Sequence, residues 1–350
     1  MDLKDIIKYL KEYDGPEIKI MEVCGTHTAS IFKSGIRSVI SGRIRLISGP
    51  GCPVCVTPTA YIDKCMEYAL KPGHVLLTFG DMMKVPGTSG SLSLIKGDGA
   101  RVELMYSPSE VIAKAKAAPD TTYVIAAVGF ETTVPTYALV MEEAIAAGLS
   151  NIKLLTALKT IVPPLDWICG TEPDIGGFIC PGHVSVIVGS QVYEALAEKY
   201  HKPFVVAGFE PEQILAVIYD IVRQIGGQTG EVHNLYSNVV RTEGNVKARN
   251  IIDKYFSPGP AMWRGLGIIP DSGLYIRGEF QGFDAGSFGL DRDAELNEAC
   301  RCGEVIIGRA DPSECPMFGT ACTPQEPYGP CMVSSEGACG IWYKNRGGII

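Results

Sequence analysis

Three groups of residues in this 350-residue chain carry side chains and spacings suited to chemistry. The first is Gly49-Pro50-Gly51-Cys52-Pro53-Val54-Cys55, in which two thiols lie two residues apart on a tight turn. Such a pair can close a disulfide or chelate a soft metal. Gly49 and Gly51 loosen the backbone, while Pro50 and Pro53 stiffen it. A helix is expected to start soon after Cys55, and its N-terminal partial charge would favour thiolate. Buried thiols, or half of a structural zinc site, would give the same spacing. The second group is Cys24-Gly25-Thr26-His27, a thiol and an imidazole on one turn, which suits a metal pair or a base-activated thiolate. The third is the run of six cysteines from Cys300 to Cys339, half of the twelve in the chain. Fourteen residues separate Cys300 from Cys315, six separate Cys315 from Cys322 and sixteen separate Cys322 from Cys339, with Cys302 and Cys331 interleaved. Four thiolates suit zinc or an iron–sulfur cluster, and the paired knuckles usual in zinc ribbons are missing from this run. Cys65, Cys169 and Cys180 are read as packing residues.

The elements that position these groups follow one rhythm. Short apolar runs are read as strands at 18–23, 43–48, 74–79, 101–106, 123–128, 152–157, 177–180 and 204–207, with helical stretches between most of them. Alternation of this kind implies parallel sheets covered by helices. Cys24, Cys52, Cys55, Asp81, Glu131 and His183 each follow the carboxyl end of a strand, the edge where open α/β sheets bind ligands. Gly-Phe-Glu occurs twice after a strand, at 129–131 and 208–210. Residues 257–289 are rich in glycine, proline and aromatics and are read as a compact lead-in to the cysteine-rich segment. The expected division is an α/β domain over 1–118, a second over 119–240 and a cysteine-rich domain over 241–350.

Composition narrows the function classes. Hydrophobic residues make up 46% and charged residues 20%, a globular balance. A formal net charge of -8 argues against nucleic acid as the main partner. Residues 1–13 are read as a surface helix with no signal peptide, and no apolar run is long enough to cross a bilayer. A cytoplasmic location is expected, where twelve cysteines point to metal or redox chemistry more than to a disulfide framework.

Taken together and in order, Met21-Glu22-Val23-Cys24-Gly25-Thr26-His27, the Gly49–Cys55 turn, Thr78-Phe79-Gly80-Asp81, Gly129-Phe130-Glu131-Thr132-Thr133, Pro181-Gly182-His183-Val184-Ser185 and Cys331-Met332-Val333-Ser334-Ser335-Glu336-Gly337-Ala338-Cys339 resemble the HypD family of nickel–iron hydrogenase maturation factors. The resemblance covers nearly the whole chain. It implies two similar α/β domains plus a smaller iron–sulfur domain, forming a cytoplasmic scaffold on which iron receives two cyanides and one carbon monoxide. Cyanide would come from the HypE–HypF pair, and HypC would share the iron and pass the product to the hydrogenase large subunit. By motif, Cys24 would be the iron thiolate with His183 beside it, and Cys52 and Cys55 the redox-active pair. Cys300, Cys315, Cys322 and Cys339 would hold a 4Fe–4S cluster, with Cys302 and Cys331 as a nearby thiol–disulfide couple. His27, Asp81, Glu131 and Glu336 are further candidates in these motifs. Two other readings remain open on the residues alone: an iron–sulfur-dependent thiol–disulfide reductase of a protein partner, and a binding module with structural zinc.

Overall fold

The computed structural model describes residues 2–294 and 299–345, leaving residue 1, 295–298 and 346–350 outside the description. Among the described residues, eleven strands form two sheets: β1 (Ile18–Glu22), β2 (Ile44–Ser48), β3 (His74–Thr78), β4 (Val102–Leu104), β5 (Thr122–Gly129), β6 (Ile152–Lys159), β7 (Ile175–Cys180), β8 (Phe204–Val206), β9 (Val232–Asn234), β10 (Phe256–Trp263) and β11 (Gly267–Ile276). The first sheet runs β2-β1-β7-β8-β9 and is parallel throughout. The second runs β10-β11-β6-β5-β3-β4; its last four strands are parallel, and the β10–β11 hairpin adds antiparallel to β6. Parallel strands are covered on both faces, so they read as continuous apolar runs. Tyr123-Val-Ile-Ala-Ala-Val-Gly129 of β5 is buried from end to end. Register keeps large side chains level, as where Phe178 of β7 pairs with Phe204 of β8 and their rings stack at 4.7 Å.

Sheet membership is not contiguous along the chain. Residues 18–48 join 175–234 in one sheet, and 74–159 join 256–276 in the other. The chain therefore crosses between sheets after β2, after β6 and after β9. An apolar run marks a buried strand but not which sheet it enters, so this crossing leaves no trace in local sequence. The hairpin was hidden for a different reason. β10 contains Pro258, Gly259 and Pro260, which argue against a central strand; it lies at the sheet edge, where a missing N–H is tolerated. The ladder also breaks register between Gly259 and Ala261.

Connectivity defines where each sheet opens. In the first sheet the chain leaves β1 for β2 on one side and later places β7 on the other. In the second, β4 and β5 flank β3 in the same manner. Each reversal leaves a crevice at the strand carboxyl ends. Cys24 and His183 follow the strands on either side of the first crevice, and Asp81 and Glu131 those on either side of the second.

One apolar core contains Met21 and Phe178 of the first sheet, Trp263 and Ile269 of the second, Val23 and Phe130 just past β1 and β5, and Cys302, Cys331 and Met332 of the cysteine-rich segment. That segment has little regular structure beyond short helices at Cys302–Ile306, Pro330–Val333 and Ala338–Lys344. Among the described residues, no helix is long and apolar enough to cross a membrane.

Trp263 ties the hairpin to this core. It is fully buried, its indole N–H donates to Ser272 Oγ at 2.7 Å, and it lies 5.9 Å from the Phe130 ring. Beside it the buried ammonium of Lys159 sits 5.1 Å from the indole and donates to the Met262 carbonyl. Trp263→Ala is expected to cost about 3–5 kcal/mol, the usual range for truncating a buried large aromatic. Urea unfolding of the full chain checks this; an unchanged midpoint would show that the hairpin contributes little to the core.

Candidate functional site

The turn after β1 builds the first half of the site. Cys24 is the N-cap of the helix Gly25–Lys33, with extended backbone and no side-chain capping hydrogen bond, and the His27 and Thr26 amides lie near enough to act on its sulfur. Burial pushes the Cys24 thiol up, and those two amides pull partly the other way. The helix after the second motif starts at Thr59 with Pro58 as its N-cap, four residues past Cys55. The N-terminal charge effect expected at Cys55 thus acts on Cys24 instead.

Cys52 and Cys55 are joined as a disulfide and are almost fully buried. Their turn is pressed onto the Cys24 turn: a Cβ on Gly51 would lie 2.6 Å from both Cys24 Cα and Cys24 N. Backbone meets backbone there, which only glycine permits.

Residues 334–336 span the two strand-end edges. Ser334 Oγ donates to Asp81 Oδ2 at 3.1 Å, and the Thr26 hydroxyl donates to Glu336 Oε1 at 3.5 Å. Partial burial first, then the Asp81 charge, raises the Glu336 pKa. Glu131 is buried; its Oε1 accepts the Ile161 N–H at 2.9 Å, while Oε2 has no hydrogen-bond partner. Burial raises its pKa to about 7. Tyr193, bonded to Ser185 Oγ at 3.0 Å, lies within electrostatic reach of both Glu131 and Cys24.

His27 is fully buried with its pKa lowered to about 4 by burial, and its Nε2 bonds the Gly208 carbonyl at 3.0 Å. His183 is exposed, and its ring stacks on Phe209 at 4.1 Å.

The cysteine-rich segment gathers its sulfurs. Cys300, Cys302, Cys315, Cys322, Cys331 and Cys339 line one cavity. Cys302 and Cys331 sulfurs are 2.7 Å apart. The Cys300 and Cys331 thiols hold Cys302 well below the ordinary thiol range. The amide of Tyr328 donates to Cys322 Sγ at 3.4 Å. A second small cavity connects this segment to the α/β edge; its walls include Gly25, Cys52, Cys55, Cys331 and Glu336. Cys55 Sγ lies 3.9 Å from the Pro330 carbonyl oxygen. Among the described residues, no three His, Cys, Asp or Glu side chains are already gathered around a single-ion position. Cys65, Cys169 and Cys180 are buried in the apolar cores, with thiols raised by desolvation.

Sequence reasoning did not single out Phe209, Tyr193 or Ser334. A signal existed for the first, which belongs to the second Gly-Phe-Glu. The two copies differ in role: Glu131 is buried, whereas Glu210 N-caps the helix Pro211–Gly227 with its amide on Gln213 Oε1 at 3.2 Å.

Fold and site define an α/β protein of two mainly parallel sheets, carrying a disulfide and a cysteine-lined cavity at the strand ends. Comparison with known proteins makes this specific: residues 2–346 match the HypD family, described as "Hydrogenase formation hypA family". The chain is 41% identical over 334 residues to Hydrogenase maturation factor HypD of Escherichia coli (strain K12), spanning 94% of this chain and 89% of that protein. It is 42% identical over 339 residues to Hydrogenase maturation factor HypD of Azotobacter vinelandii, spanning 93% and 89%. The protein of the same description from Rhodobacter capsulatus is 41% identical over 339 residues, spanning 94% and 90%. The chain belongs to the HypD family.

The Gly51 contact yields a direct test. Gly51→Ala is expected to lower stability by about 1–3 kcal/mol, because backbone must move to admit the methyl group. Gly42→Ala, where a Cβ meets nothing within 4 Å, is the control. Thermal unfolding and the rate at which dithiothreitol opens Cys52–Cys55 are the measurements. Equal behaviour of the two variants would contradict the close packing of the turns.

Proposed function

We propose that this chain is a redox-active assembly scaffold for nickel–iron hydrogenase maturation, on which iron receives two cyanides and one carbon monoxide. Membership in the HypD family supports the maturation role. The observation that carries the mechanism is the position of the Cys52–Cys55 disulfide, against Cys24 on one side and the Cys331 wall of the shared cavity on the other. Iron is cargo in this reading, and Cys24 is its thiolate, at a helix N-terminus whose amides favour the ionised sulfur. Thiolate suits an iron that must stay electron-rich to hold such ligands. His183, His27, Asp81, Glu131 and Glu336 surround the strand ends as groups that orient cargo or move protons. HypC shares the iron and passes it to the hydrogenase large subunit, and HypE, loaded by HypF, brings cyanide. These encounters take place in the cytoplasm.

The resident cofactor of this reading is a 4Fe–4S cluster on Cys300, Cys315, Cys322 and Cys339. The donor set fits: all four sulfurs line one cavity, and a backbone amide already donates to Cys322 Sγ. When bound, the cluster supplies one-electron redox chemistry. Two cysteines are left over, and their work is exchange. Cys331 passes its proton to the Cys302 thiolate beside it and attacks Cys55, forming a mixed disulfide and releasing Cys52 as thiolate; Cys52 takes the proton back from Cys302, which then attacks Cys331 and releases Cys55 as thiolate. The products are the Cys302–Cys331 disulfide and a reduced Cys52/Cys55 pair, so two electrons move with no outside oxidant. Exchange needs sulfur to reach sulfur, which fits the 2.7 Å Cys302–Cys331 separation and the shared Cys52/Cys55/Cys331 cavity.

The same sulfur arrangement favours one other reading, a thiol–disulfide reductase serving a protein partner, which needs no mononuclear iron. Iron counting after anaerobic purification separates the two: about four atoms per chain mean the cluster alone, and about five an added site. In the scaffold reading, Cys24→Ser keeps the cluster and the fold but loses the infrared bands of iron-bound cyanide and carbonyl when purified with HypC. Unchanged bands in that variant would remove Cys24 as the iron ligand.

A further inference from the structure

The second Gly-Phe-Glu is not used by the sulfur chemistry. Glu210 caps the following helix, but Gly208 and Phe209 face the turn that carries Cys24. The Gly208 carbonyl oxygen lies 3.0 Å from His27 Nε2. A carbonyl can only accept, so Nε2 bears the proton, and the lone pair of the neutral ring is left on Nδ1. That Nδ1 is buried and has no hydrogen-bond partner.

Phe209 stacks with both imidazoles of the site. Its ring centroid is 4.7 Å from that of His27 at an interplanar angle of 24°, and 4.1 Å from that of His183 at 27°. Phe209 is itself pinned: Ser30 Oγ donates to its carbonyl at 2.7 Å, and Tyr236 meets its ring edge-on at 6.2 Å. The turn bearing His183 is pressed onto the same segment, since a Cβ on Gly182 would lie 2.5 Å from the Ala207 carbonyl oxygen and 3.2 Å from the Phe209 ring. Residues 207–209 thus form a shared mount for two histidines that are 156 positions apart in sequence.

We propose that Phe209 is a positioning residue that holds both imidazoles of the strand-end site: its ring seats His183 and presents His27 to the Gly208 carbonyl, which fixes the Nε2–H tautomer and leaves Nδ1 bare. The site beside Cys24 then offers one sheltered nitrogen acceptor and one solvent-facing imidazole. A bare, neutral imidazole nitrogen suits a borderline cation or a proton donor. The inference rests on reading the Cys24 turn as the functional site, but its test uses neither iron nor hydrogenase, so failure of the scaffold reading leaves the result standing.

The experiment is a long-range proton–nitrogen NMR correlation of the imidazoles in the uniformly labelled full chain. Five histidines keep the spectrum simple, and His27→Gln and His183→Gln assign the two signals. In the wild type, His27 is expected as a single tautomer protonated on Nε2. Phe209→Leu is expected to lose that single-tautomer pattern and shift the His183 nitrogens, while Phe209→Tyr retains both. If Phe209→Leu does not fold by circular dichroism, Phe209→Met replaces the ring with a flexible side chain of similar bulk. A wild-type His27 protonated on Nδ1 would overturn the proposal, as would a ring-free variant with wild-type nitrogen signals.

Discussion

Thiol–disulfide exchange has a reach of one bond, so the proposed function depends on sulfur atoms being brought into contact. Cys302 and Cys331 meet at 2.7 Å although they are 29 positions apart. Cys331 and the Cys52–Cys55 disulfide share a cavity across a much longer stretch of chain. No local element could arrange this. It is arranged by packing, because the short helices bearing Cys302 and Cys331 contribute to the same apolar core as the strands that lead into Cys24 and Cys52. Sulfur is well suited to that position, since a thiol packs like a small apolar group and reacts only where geometry permits.

The two sheets supply the frame for those contacts. Each reverses its strand order once, and each reversal is flanked by chemistry-bearing residues at the strand carboxyl ends. Residues 334–336 touch both edges, through Asp81 on one and Thr26 on the other. The helix that follows, Ala338–Lys344, sets Trp342 edge-on to Phe32 at 5.0 Å, and Arg37 lies over both rings. Arg37 also pairs with buried Glu22, two residues before Cys24. Cys339 and Cys24 therefore sit on elements braced against each other.

Much of this was legible in sequence for a physical reason. Parallel strands buried on both faces must be apolar along their length, and glycine-rich turns must follow them, so the strand ends and the residues after them could be located one by one. The limits are as informative. Assignment of strands to sheets is a long-range property, and the apolar runs of β2 and β3 hold nothing to say that the chain changes sheets between them. The prolines of β10 disguised an edge strand as a loop. At Cys24 the clue was present in Cys-Gly-Thr-His, where a side chain able to accept amide hydrogen bonds precedes a helix, but attention to the double-cysteine turn placed the helix effect at Cys55. Phe209 was visible only as part of a repeated tripeptide. Its partners His27 and His183 are brought to it by the fold, and spacing alone carries no sign of them.

The account stands most directly on whether the Cys302/Cys331 pair reaches the Cys52–Cys55 disulfide. The measurement is mass-spectrometric quantification of free thiols at Cys52 and Cys55 after anaerobic reduction of the full chain with a one-electron donor, in wild type and in the Cys302→Ala/Cys331→Ala double variant. The account predicts thiol release at both cysteines in the wild type and loss of that release in the double variant, with the fold retained by circular dichroism. Equal release in the two proteins would contradict it, and Cys302 and Cys331 would then be packing thiols beside the cavity.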